Sequence, residues 1–159
     1  MKKIIICPYS RKMPNNGKNP KNYPYWNTVV KELKNMGYYI IQVGTKGEEK
    51  IDGVDCVKYD LDFNTELKKL LDECYTWFSV DTFFQHFATY NNKPGIVIFT
   101  ITDPEIFGHK KNLNLYKDKK YFLENQFIFW EEKFYNSKSF IEPEEVISKF
   151  CEWSKTNRE

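Results

Sequence analysis

The chain has no cysteine framework. Cys7, Cys56, Cys74 and Cys151 are scattered without a Cys-x-x-Cys pair, and no histidine pair stands nearby at zinc-ligand spacing. Neither a structural metal nor a disulfide scaffold is expected, and the cysteines read as filling in a reducing compartment. A long hydrophobic run is missing too. After Met1-Lys2-Lys3 only Ile4-Ile5-Ile6-Cys7 precedes Pro8 and Arg11, too short for a signal-peptide core or a membrane span. The expectation is a cytoplasmic protein with no transmembrane segment. Nor is there an excess of charge of either sign. The 24 basic and 22 acidic residues leave a formal +2, too even a balance for the broad positive field that non-specific nucleic-acid binding uses. No internal repeat or long low-complexity tract divides the 159 residues, 41% of them hydrophobic, so one domain spanning residues 1–159 with a full-sized core is the economical reading.

What is present alternates. Ile4–Cys7, ended by Pro8, reads as a strand buried on both faces. Tyr9 to Tyr23 holds Pro14, Asn15, Asn16, Gly17, Asn19 and Pro20 with no apolar period, and reads as a loop placed to meet ligands. Trp26, Val29, Val30, Leu33 and Met36 recur at helical intervals before Gly37. Tyr38 to Val43 predicts a second strand broken by Gly44 and Gly47, and Val54–Val57 a short third one. Thr65 is the expected N-cap of a helix through about Cys74. Trp77–Val80, Phe83–Tyr90 and Ile96–Ile101 then predict strand, helix and strand. The pattern weakens from Thr102 through a lysine-rich stretch, Lys110 to Lys120, and an aromatic one, Tyr121 to Phe134. Pro143 opens a closing helix carrying Val146, Ile147, Phe150 and Trp153. Such alternation with short connections predicts an α/β fold: a single Rossmann-like, doubly wound, mainly parallel sheet whose ligands sit at the carboxyl ends of the strands.

Four pieces of the sequence stand in a recognisable order. Ser10 is followed, after an apparent insertion, by Lys21-Asn-Tyr-Pro24. Next comes Gly44-Thr-Lys-Gly-Glu48, and then Asp81-Thr-Phe-Phe-Gln-His86-Phe-Ala88. Lys93-Pro94, an apolar strand and Thr102-Asp-Pro104 complete the series. From about Lys3 to Phe150 the chain resembles the C-terminal, donor-binding domain of the bacterial heptosyltransferases, the ninth glycosyltransferase family. That resemblance implies one half of an enzyme with two facing Rossmann-like domains (the GT-B arrangement). The half represented here would hold a nucleoside diphosphate sugar, and the other would hold the acceptor.

The residue chemistry fits that picture and needs no metal or cofactor. Thr82 can donate its hydroxyl to a diphosphate oxygen while the first-turn N–H groups of the following helix converge on the same charge. Lys21 can stabilise the diphosphate as it leaves, when its negative charge grows, and is the one candidate catalytic residue. Glu48, with Glu49 as second choice, can accept both ribose hydroxyls. Asp81 can hold sugar hydroxyls, His86 lies one turn into the helix near the phosphate, and Ser10 completes the substrate-binding set. Plainer alternatives stand beside each: Asp81 and Thr82 as helix caps, His86 at the core edge, Lys21 and Glu48 as solvated charges, and Tyr23, Tyr25 and Trp26 as packing rather than a base platform.

Two departures from the family pattern matter. Phe83 stands where the family has a glycine that lets the backbone approach the diphosphate, so its ring could narrow the pocket, stack on a different ligand or mark an abandoned site. The general base belongs to the absent acceptor domain. The leading expectation is therefore a donor domain that transfers sugar together with a separate acceptor-binding chain or a homodimer mate. The alternatives are a non-catalytic nucleotide or nucleotide-sugar binder, and a remnant whose aromatic residues, 18% of the chain, form an interaction surface.

Overall fold

A computed structural model describes residues 1–14, 16–127 and 135–157. Six parallel strands form one sheet: β1 (Lys3–Cys7), β2 (Tyr39–Gly44), β3 (Cys56–Tyr59), β4 (Thr76–Val80), β5 (Ile96–Ile98) and β6 (Leu113–Leu115), in the order β3-β2-β1-β4-β5-β6. The helices are α1 (Trp26–Asn35), α2 (Lys68–Glu73), α3 (Phe83–Tyr90), α4 (Pro104–Phe107) and α5 (Pro143–Thr156).

The period of two along each strand decides which core a residue enters. Ile4, Ile6, Ile40, Phe78 and Val80 face α1 and α5, where Val29, Leu33, Val146 and Phe150 close the layer. Ile5, Cys7, Ile41, Trp77 and Val97 face the other way, against Leu71 of α2 and Phe84 and Ala88 of α3. Continuous apolar strands are thus what a sheet covered on both faces demands. The four cysteines are free. Cys7 and Cys74 are buried, and burial pushes the Cys74 thiol up to about 11 and that of Cys7 higher still. Both serve as packing.

Several elements differ from expectation. The third strand begins two residues later than predicted. The helix before β4 is capped by Asp62 rather than Thr65: the Asp62 carboxylate accepts from the backbone N–H of Asn64 and Thr65 and from the Thr65 hydroxyl. A wide, π-type turn over Phe63–Leu67 then leads into α2. β5 stops at Ile98, although the Phe99 N–H still donates to the Leu115 carbonyl. The lysine-rich stretch conceals a sixth strand, and of the unassigned Tyr121–Phe134 segment, residues 128–134 lie outside the described residues. No helix among the described residues is long and apolar enough to cross a membrane.

Topology positions the site. Successive strands run outward from β1 to β3 and, on the other side, from β4 to β6, so the carboxyl ends of β1 and β4 part around a crevice. The loop after Cys7 and the turn after Val80 both begin at that crevice.

Packing beneath it is tight. A Cβ at Gly95 would overlap the indole of Trp77, which is fully buried and donates Nε1–H to the Lys93 carbonyl at 2.9 Å. Gly95→Ala is therefore expected to destabilise the fold by about 1–3 kcal/mol in urea unfolding, as overpacked cores do.

Candidate functional site

β4 is buried along its whole length and delivers Asp81, only 5% exposed, to the crevice. There the carboxylate collects three donors. Its Oδ1 accepts from Gln85 Nε2 at 2.6 Å, and its Oδ2 accepts from the Thr102 hydroxyl at 2.6 Å and pairs with Lys21 Nζ at 3.2 Å. The ammonium end is nearly dry as well, the Lys21 side chain being 15% exposed. At this depth neither charge can be left alone without a large desolvation cost, so each fixes the other.

The loop that carries Lys21 has no regular structure, yet it is bolted down. Asn19, which is buried, accepts the Lys21 N–H at 2.9 Å and donates to the Arg11 carbonyl at 2.8 Å. The buried hydroxyl of Thr100, just past β5, donates to the Pro20 carbonyl at 2.9 Å. Polar side chains thus replace the missing backbone ladder and carry Lys21 to Asp81.

Thr82 follows Asp81 in extended conformation and begins α3. Among the described residues no side chain caps this helix and no acidic group lies in its first turn, while the Gln85 N–H donates to the Thr82 carbonyl at 3.3 Å. The helix-cap alternative thus fails for Thr82. Phe83 does not project into its own turn. The residue is 45% exposed and its ring stacks on Phe63, with centroids 5.1 Å apart and planes at 20°, to form one wall of a largely apolar cavity of about 270 Å³ with Val43, Leu61 and Leu67, which Thr45, Lys58 and Asp60 also line.

Glu48 and Ser10 form a second group. They share the wall of a cavity of about 390 Å³ with Lys12, Asn16 and Lys18. Glu48 Oε1 accepts the Thr45 N–H at 3.1 Å, while Oε2 is buried with no hydrogen-bond partner among the described residues and lies over Gly44, where a Cβ would collide with it. Burial holds this carboxyl above the usual range, a rise that the Thr45 hydrogen bonds partly offset. Glu49 is exposed, and its carbonyl accepts from buried Gln42. Ser10 is fixed through its N–H, donated to Asn22 Oδ1 at 2.8 Å. Tyr23 and Trp26 are packing residues: both are buried, with Tyr23 OH donating to the Ile141 carbonyl and Trp26 Nε1 to that of Pro8.

His86 is exposed on α3, and its Nδ1 stands 2.7 Å from Nε2 of His109. Partial burial of the ring and then the proximity of His109 lower its pKa, and Asp81 opposes them. A folded value below the ordinary 6.5 means the unfolded chain binds more protons in that window. This contribution to stability is therefore present above about pH 6.5 and lost as pH falls below it. Imidazole titration by NMR should place the His86 midpoint below 6.5.

Sequence reasoning passed over Thr102 and Gln85 as site residues. Gln85 stands at i+4 from Asp81, a spacing that brings side chains together, and Thr102 lies in the Thr-Asp-Pro turn, so both carried a readable signal. Asn19 and Thr100 carried none. Thr102→Val should cost about 1–2 kcal/mol of unfolding free energy by removing one donor from a buried carboxylate.

No family model and no curated protein sequence matches the chain. Solved structures do. The E. coli heptosyltransferase WaaC with ADP matches 94% of this chain at 15% identity and a TM-score of 0.64, through 43% of its own length. E. coli ADP-heptose lps heptosyltransferase II matches 99% at 15% identity and 0.65, through 48% of its length. The glycosyl transferase family 9 protein of Veillonella parvula matches 95% at 16% identity and 0.70, through 45% of its length. The fold is thus that of one part of these glycosyltransferases, and the chain spans less than half the length of each.

Proposed function

We propose that this chain binds a nucleoside diphosphate sugar in the crevice between β1 and β4 and acts as the donor-binding half of a heptosyltransferase-like glycosyltransferase. The observation that carries this reading is the buried Lys21–Asp81–Thr102 cluster beside the uncapped start of α3. The diphosphate lies on the Thr82 hydroxyl and the first-turn N–H groups. Lys21 approaches the same anion from the opposite loop, and Asp81, with lone pairs to spare beyond its three donors, accepts a sugar hydroxyl. Glu48 Oε2, buried with no hydrogen-bond partner among the described residues, takes a ribose hydroxyl. The largely apolar cavity walled by Phe63 and Phe83 suits a flat base.

In the transfer step an acceptor hydroxyl attacks the anomeric carbon, the bond from that carbon to the diphosphate oxygen breaks, and the electron pair leaves with the diphosphate. Lys21 and the helix N–H groups stabilise the charge that grows there. The hydroxyl proton goes to a base supplied by an acceptor-binding chain or by a second copy of this one.

Thermal shift with ADP, other nucleoside diphosphates and their sugars tests the binding reading. At least one should raise the melting temperature. Thr82→Ala should weaken that ligand about tenfold, the loss typical of one hydrogen bond to a charged group, with the fold intact. Lys21→Ala should weaken it as well and also lower the melting temperature, because Asp81 is left unpaired. No shift with any nucleotide would refute the binding reading. Binding without transfer or donor hydrolysis, with or without a partner chain, would leave a binder rather than an enzyme.

A further inference from the structure

We propose that His86 and His109 form a two-point site for a divalent transition metal such as Zn²⁺ or Ni²⁺. They are the only histidines in 159 residues and lie 23 apart in sequence, yet their rings meet edge to face with Nδ1 of one 2.7 Å from Nε2 of the other. Neither belongs to a cluster of three or more metal-ligating side chains among the described residues, so solvent would complete the coordination.

Three observations favour a chelate over a chance contact. The loop bearing His109 is fixed independently of its side chain: the His109 carbonyl accepts from Asn112 N–H at 3.1 Å and from Asn114 Nδ2 at 3.0 Å. That loop is tied to α3 three residues beyond His86, where Asn112 Nδ2 donates to the Thr89 hydroxyl at 3.1 Å. The backbone at His109 is therefore held beside α3 before any ion arrives, which lowers the ordering cost of binding. Gly108 adds to this, since a Cβ there would press on the Pro104 carbonyl at 2.6 Å, so the chain before His109 has little room to move.

The electrostatics agree. The Asp81 carboxylate lies within electrostatic reach of His86 to offset the Lys21 ammonium. An ion about 2.0–2.1 Å from each nitrogen holds them roughly 2.9–3.4 Å apart, so the pair opens by only a few tenths of an ångström. Imidazole suits zinc, nickel and copper, and the remaining coordination positions face water or an oxygen-donor ligand at the edge of the crevice.

The test uses tag-free protein without nucleotide, so its outcome is independent of the donor-binding reading. Calorimetric titration with ZnCl₂ and NiCl₂ at pH 7.5 should give one saturable site. His86→Ala and His109→Ala should each weaken it by roughly tenfold or more, since a lost ligand costs at least as much as a lost supporting contact. His109→Gln can still hydrogen-bond His86 but should not restore metal affinity. NMR of the wild type should show both imidazoles shifting together at one equivalent. Absence of a saturable site, affinity unchanged in both alanine variants, or full affinity in His109→Gln would each overturn the proposal and leave a simple hydrogen bond.

Discussion

The ion pair between Lys21 and Asp81 is the contact on which the crevice depends. One partner ends a fully buried strand and the other belongs to a loop without regular structure, and both side chains are largely out of water. A buried charge with a partner missing costs several kcal/mol, so this pair ties the loop to the end of β4. Thr102 and Gln85 donate to the same carboxylate, and Thr100 and Asn19 hold the loop's backbone. The wall of the crevice opposite α3 is thus held by polar contacts together with the buried side chains of Met13 and Tyr23.

The sheet supplies what those contacts need. With the strand order reversing between β1 and β4, the loop after Cys7 and the turn after Val80 emerge side by side, and α3 points its N-terminus at the gap between them. In the proposed reading, the positive side chain and the helix start that face this opening take the donor's diphosphate. The same fold occurs as one part of a heptosyltransferase solved with ADP and of a family 9 glycosyltransferase.

The architecture was legible because its strands are continuous apolar runs and its main helices are strongly periodic. The α3 span, Phe83–Tyr90, was read to its ends, and β4 was read one residue short. What was missed lacked that signal. β6 is three residues long inside a lysine-rich stretch, and the Asp62 cap belongs to a π-type turn that shifts the helical period. At the site, Asp81, Thr82 and Lys21 were named from motif order, but the buried pairing of two of them is a fact of tertiary structure that no local pattern encodes. Phe83 shows the reverse case. Its bulk suggested obstruction, but its partner, Phe63, comes from a distant turn and draws the ring outward. The meeting of His86 with His109 across two elements was likewise invisible in their spacing.

The most direct test is a double-mutant cycle on unfolding free energy with Lys21→Met, Asp81→Asn and the pair combined. If the buried ion pair organises the crevice, the single changes should be non-additive, with a coupling of about 1–3 kcal/mol, and the double variant should be more stable than the sum of the two losses implies. Additivity within about 0.3–0.5 kcal/mol would contradict it, because two side chains that do not sense each other cannot be what holds the loop in place.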